Sequence, residues 1–181
     1  MTSQIAEKTS YEIDPAHTTA AFVVRHLMIA KVRGLFAGIS GTIDLERNTN
    51  VPSSVQAAID ATSIDTREAQ RDAHLKSADF FEVEKYPTFK FVSTRIEGSA
   101  ENFMIHGNLT IRGTTRGVVL KAAFEGRGPD MQGGQRVGYS ASTTINRKDF
   151  GLTWNAALET GGVVVGDEIR IDLDVQGTLR S

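Results

Sequence analysis

Most of this chain alternates apolar and polar positions with a period of two, the signature of strands that turn one face to a core and the other to solvent. Residues 18–26 place Phe22, Val24 and His26 on one side and Ala21, Val23 and Arg25 on the other. Residues 32–45 read as one strand of about 14 residues, which at roughly 3.3 Å each would reach about 46 Å, far beyond the usual five or six residues. A strand that long makes a tall sheet or bends, and Gly34, Gly38 and Gly41 within it are costly unless they permit curvature, a bulge or a close approach. Val55, Ala57, Ile59 and Ala61 mark another strand. Residues 88–97, 103–112 and 116–125 then form a three-strand meander with turns at Gly98-Ser99 and Gly113-Thr114. Residues 135–147 alternate again, 148–167 form a long irregular connection, and 168–180 close the chain with Ile169, Ile171, Leu173 and Val175 on one face. About eight substantial strands without a βαβ pattern or an internal repeat predict an all-β, antiparallel barrel.

One stretch breaks the pattern. Asp65 followed three residues later by Glu68 has the form of a capping box, so a short helix is expected to begin near Thr66. Its apolar residues, Ala69, Ala73 and Leu75, are small or few, which makes it a flap that covers a surface and not a helix that nucleates a core. Phe80 and Phe81 follow it, and Tyr86-Pro87 forces an extended residue before the next strand. A polar helix ending in two adjacent phenylalanines reads as a plug at the mouth of something hollow.

The length of 181 residues corresponds to about one domain. Residues 1–10 are polar and are expected to be disordered, with the barrel domain running over 11–181. Twenty basic against twenty-two acidic residues, interspersed, give a net charge of −2 and no electrostatic footprint for nucleic acid. The absence of cysteine excludes disulfides, thiolate metal sites and cysteine nucleophiles. No apolar run has the form of a secretory signal or approaches the roughly 20 residues that span a bilayer, so a cytoplasmic location is expected.

Little in the sequence points to catalysis. His17, His26, His74 and His106 fall in four separate contexts without metal-ligand spacing, and no metal site is expected. No P-loop, dinucleotide fingerprint or nucleophile elbow occurs. Asp14-Pro15-Ala16-His17 reads as a capped turn into a strand, and Asp172 and Asp174 as a solvated outer face. Arg147 continues the line of Val137, Tyr139, Ala141 and Ile145, which makes it either a rim arginine paired with Asp149 or a guanidinium at the edge of an apolar space. Phenylalanines on strands are by default packed core, and a barrel of about eight strands either fills with side chains or holds one small ligand.

Five segments, DPAHTTAAFVVRH, SIDTREAQRDAHLKSADFFEVEKYPTFKF, GNLTIRGTTRGVVLKAAFEG, INRKDFGLTWN and GGVVVGDEIRIDLDVQG, resemble in order and spacing the YceI-like family of polyisoprenoid-binding, lipocalin-like proteins. The resemblance implies an elongated eight-stranded antiparallel barrel whose tunnel holds a long isoprenoid or other amphiphilic chain, often in a homodimer. Many relatives begin with a secretory signal, which this chain does not show. Alternation and resemblance together assign Phe22, Val24, Phe36, Phe80, Phe81, Phe89, Phe91, Phe124, Tyr139, Phe150 and Trp154 to the apolar tunnel, with Phe80 and Phe81 near an opening. His26, Asn146 and Arg147 are assigned to its polar end. The expected activity is non-catalytic binding, transport or storage of a lipid, with no catalytic residue and no cofactor other than that lipid. An enzyme acting on an isoprenoid or quinone-type lipid, and an interaction module with a solid barrel, are the alternatives.

Overall fold

The computed structural model describes residues 7–180. Ten strands and one helix follow one another: β1 (Lys8–Ile13), β2 (Thr19–His26), β3 (Ala30–Phe36), β4 (Ile39–Glu46), β5 (Ser54–Asp60), α1 (Ala69–Lys76), β6 (Thr88–Ser99), β7 (Asn102–Ile111), β8 (Thr114–Pro129), β9 (Gln135–Asn146) and β10 (Val165–Leu179). Strand β1 already includes Lys8–Ser10, within the segment expected to be disordered, while the part of that segment over 1–6 lies outside the described residues.

Every strand pairing is antiparallel, in the order β1-β4-β5-β6-β7-β8-β9-β10, and β10 returns to β1 through Tyr11↔Leu179 and Ile13↔Gly177. That closes an eight-strand barrel. Farther along, β10 leaves β1 and pairs β2 instead, from Asp174↔Thr19 to Val165↔His26. The exchange occurs where Asp14 caps a single turn of 3₁₀ helix over Pro15–His17, the capped turn expected there. β1 and β2 are thus two halves of one bent wall, and β3 and β4 are two halves of the next.

The long strand expected over 32–45 is interrupted at Ala37-Gly38. Its glycines act at close approaches. A Cβ on Gly34 would lie 2.2 Å from Cζ of Phe22, and one on Gly41, whose φ is +147°, would lie 2.0 Å from the Gln56 carbonyl oxygen of β5. Glycine at these places lets a ring cross one strand and lets two backbones cross tightly at the other.

β3 pairs β2 on one side, and among the described residues its other edge forms a single isolated bridge, Leu35↔Asp65. The segment between β5 and β6 covers the gap. Its helix starts later than the sequence pattern predicts: Glu68 is the N-cap, its carboxylate accepting from the backbone N–H groups of Gln70 and Arg71. Asp65 caps nothing helical and accepts instead from the N–H of Arg67, whose φ of +64° keeps that residue out of the helix. Asp72 accepts from the N–H and hydroxyl of buried Thr66, and Arg71 donates to the Thr66 hydroxyl and carbonyl. These bonds give a short polar helix a fixed seat that its own packing could not supply. Among the described residues no helix is long and apolar enough to cross a membrane.

Two clusters of buried residues make up the interior wall. One joins Tyr11, Ile43, Leu45, Phe103, Val137 and Tyr139 at the closed end, and the other joins Ala61, Val83, Phe89, Ile111, Phe150 and Leu152 under the flap.

Candidate functional site

Within these clusters the barrel is hollow, since Ile43, Phe103 and Tyr139 of the first and Phe89, Ile111 and Leu152 of the second border open space. Strand alternation aims Ile105 and Leu109 of β7 and Ile171 and Leu173 of β10 inward, and all four border open space. Two cavities of about 140 Å³ each result. The first is lined by residues such as Ile39, Ile43, Val55, Phe91, Phe103 and Tyr139. The second, under the flap, is lined by Phe22, Val24, Phe36, Phe81, Phe89 and Ile169 among others. Ile59, Leu109, Ile171 and Leu173 line both, so the cavities abut along the barrel and trace one channel.

Phe81 stands across the gap between β3 and β6, its ring centroid 6.2 Å from that of Phe36 and 5.0 Å from that of Phe89. Phe80 is buried and packs 5.1 Å from the His74 ring and 5.4 Å from Trp154. His74 in turn lies 4.6 Å from Trp154, with its Nε2 2.8 Å from a carboxylate oxygen of Asp79. The flap is thereby fastened to the irregular segment before β10.

The YceI-like domain model matches residues 11–177, which is nearly the whole barrel. The chain belongs to the YceI-like family. Among its relatives, a UPF0312 protein of Photorhabdus laumondii is 36% identical over 148 residues, covering 82% of this chain and 77% of that one. Among solved structures, a YceI protein of Campylobacter jejuni is 28% identical with a TM-score of 0.75, over 87% of this chain and 90% of that one. A polyisoprenoid-binding domain from Saccharophagus degradans shares the fold with a TM-score of 0.68 at 16% identity, over 94% and 98% of the two chains.

Within this YceI-like barrel, eight of the eleven residues assigned to the apolar tunnel, Phe22, Val24, Phe36, Phe80, Phe81, Phe89, Phe91 and Tyr139, line one cavity or the other. The remaining three line neither cavity. Phe124 packs on Tyr139 at 5.7 Å within the closed-end core, Phe150 is 1% exposed inside the second cluster, and Trp154 lies outside the lining as the partner of His74 and Phe80. Strand parity cannot tell a ring packed behind the wall from a ring facing the void, because both point inward. The sequence reading missed the aliphatic residues of β4, β5 and β7 that make up much of the lining, although their alternation was visible.

The assigned polar end divides three ways. His26 is half-buried, one inward step beyond Val24, opposite Val165 and Ala30. Asn146 faces outward, and its side-chain oxygen accepts from the N–H of Lys148 to cap a 3₁₀ turn, so it is not brought to the cavity. Arg147 lines the second cavity but is neither a rim residue nor a partner of Asp149: it is 2% exposed, and its nearest carboxylate is Asp167 at 3.7 Å. Its guanidinium donates to the carbonyls of Leu152, Trp154, Gly166 and Val165 at 2.7, 2.8, 2.8 and 3.2 Å. Burial lowers its pKa from the ordinary arginine value, and the four carbonyls hold the charged form in place. Arg147 is therefore the clamp that shapes the 152–166 segment.

Tyr139 donates its hydroxyl to the carbonyl of Asn50 at 2.8 Å, and burial pushes its pKa up. Among the described residues no group of three or more His, Cys, Asp or Glu side chains is placed to hold a metal ion.

Proposed function

We propose that this protein binds one apolar tail, of the isoprenoid or other long-chain amphiphile class, along the barrel axis, and acts by sequestering that tail for transport or storage without transforming it. The observation that carries this reading is the pair of abutting cavities whose exposed lining is wholly apolar, sealed on one side by a phenylalanine-bearing flap. An empty lining forfeits dispersion contacts that an occupant restores, and apolar ligand surface leaves water at roughly 25 cal/mol per Å². The polyisoprenoid-binding description of the Saccharophagus neighbour supports the isoprenoid class. His26 is the one assigned polar residue that lies on the lining face with no side-chain hydrogen bond among the described residues, and it is our choice for contact with a head group.

An engineered cavity of about 150 Å³ holds one benzene-sized group, so the two cavities as shaped accommodate a short run of tail, and a longer chain requires Phe81 or its neighbours to move. The binding reading predicts that solvent extraction of the purified protein, followed by mass spectrometry, yields a stoichiometric long-chain lipid and that its removal lowers the melting temperature. No extractable lipid, together with no thermal response to added prenyl alcohols, would overturn it in favour of a solid interaction module. Turnover of a bound lipid that single polar substitutions abolish while occupancy survives would establish the enzyme alternative.

A further inference from the structure

The β2–β3 hairpin ends in a turn that its sequence makes costly. The N–H of Ile29 donates to the carbonyl of His26 at 3.3 Å, and the two central residues, Leu27 and Met28, have φ of +55° and +62°. His26 pairs Ala30, so the loop holds the three residues Leu27–Ile29, and its two consecutive positive φ values favour Asn and Gly, because large L side chains are strained there. Here both positions carry large apolar side chains that face water, Leu27 at 39% and Met28 at 50% exposure, with Ile29 after them at 86%. Such strain together with exposure costs stability twice and points to a role outside the fold.

A second apolar tip lies against the first. The N–H of Leu27 donates to the carbonyl of Val164, the bridge Ala157↔Val163 closes a turn through Gly161 and Gly162, and a Cβ on Gly162 would sit 3.0 Å from Cγ of Met28. Val163 is exposed beside Leu27, Met28 and Ile29. The Arg147 clamp fixes both ends of this second loop, so the two tips form one platform next to Val24 and Val165, which line the flap-side cavity.

The flank of that platform is basic. Arg25 and Lys31 are cross-strand partners, with Arg33 two residues farther along, and all three are exposed and in no ion pair among the described residues. The carboxylates on the same outer surface are Asp167, Glu168 and Asp172. Lys148 engages Asp167 and Arg170 engages Asp172, which leaves Glu168 against three unpaired cations. Apolar tips beside unpaired cations match a bilayer whose surface is anionic and whose interior is apolar, and do not match a purely apolar or purely charged protein surface.

We propose that the tips at Leu27–Ile29 and Val163 insert into the interface of an anionic lipid bilayer, with Arg25, Lys31 and Arg33 on the headgroups, and that this seats the flap-side cavity against the membrane. The partner is the bilayer itself, and a second copy of the chain is the competing occupant.

The experiment is co-sedimentation of the full chain with vesicles of phosphatidylcholine containing an equal part of phosphatidylglycerol, beside vesicles of phosphatidylcholine alone. Binding to the mixed vesicles, weakened by salt, is expected. Leu27→Asn combined with Met28→Gly installs the pair this turn prefers, so thermal stability is kept or raised while vesicle binding falls at least tenfold. Neutralising Arg25, Lys31 or Arg33 to Gln should cost roughly fivefold in partitioning each. Wild-type protein that ignores the mixed vesicles, or the double substitution binding them as wild type does, overturns the proposal. So does a double substitution that converts a dimer to a monomer in sedimentation velocity without any vesicle binding at the start, which would assign the platform to a contact between copies. The vesicles contain no isoprenoid, so failure here leaves the extraction result for the tail untouched.

Discussion

Leu109 stands where the two cavities meet, and Leu109→Trp would divide them. The indole projects into space that already exists, so the barrel should fold, with the misfit costing about 1–3 kcal/mol. For a chain of this size that is a fall in melting temperature of roughly 2–12 °C. A tail that spans both cavities would lose one of them. At about 24 cal/mol per Å³, leaving one cavity of about 140 Å³ unfilled forfeits about 3 kcal/mol, or roughly two orders of magnitude in Kd. A tail short enough for one cavity should bind unchanged. The assay is displacement of a fluorescent apolar probe by prenyl alcohols and fatty acids of increasing length, for wild type, Leu109→Trp and Leu109→Ala. The alanine variant should be less stable by about 2–5 kcal/mol yet keep its long-chain affinity, because it widens the junction. Equal loss at every length, or long chains that bind Leu109→Trp as tightly as wild type, would show that the cavities do not act as one channel.

Four other outcomes follow from particular contacts. Arg147→Met removes a donor from four carbonyls, of which Val165 keeps another in Asn155, and should cost about 3–5 kcal/mol, with hydrogen exchange rising first across residues 152–166; Arg147→Lys should restore only part of the protection. Phe81→Ala should speed exchange of bound lipid more than it weakens equilibrium affinity, as measured by stopped-flow transfer between loaded and empty protein, because the ring plugs the gap between β3 and β6. Gly34→Ala should turn the Phe22 ring into the flap-side cavity and reduce affinity for bulky tails at a stability cost of about 1–3 kcal/mol, read by melting with and without ligand. The carboxyl of Asp14, bonded first by Arg136 and then by His17, is held down to about 2, so its contribution is present above the unfolded carboxylate value and is lost as pH falls from about 4 toward 2. Solvent screening limits that contribution to about 1 kcal/mol, and Asp14→Asn should flatten this part of the stability profile measured by urea titration.

Period-two patterning was enough to locate most of the strands, and its interruption marked the helical flap, because alternation is a property of consecutive residues and survives without knowledge of the fold. It also led to the antiparallel barrel, since strands without crossover helices have few other ways to protect their edges. The family resemblance rested on the same local record, the flap segment above all, whose capped and bonded residues are close in sequence. What escaped the sequence depends on contacts between distant residues. Glu68 replaced Asp65 as the helix cap because Leu35 bridges Asp65 from across the chain. Arg147 turned from a headgroup candidate into a clamp because four carbonyls from 5 to 19 residues away converge on it. The hollow itself was not legible: inward-facing Phe124 and Phe91 have the same parity, yet one packs on Tyr139 and the other borders a void. Whether inward side chains meet across a barrel depends on its diameter and on the register of every strand at once, and only the closed tertiary structure sets both.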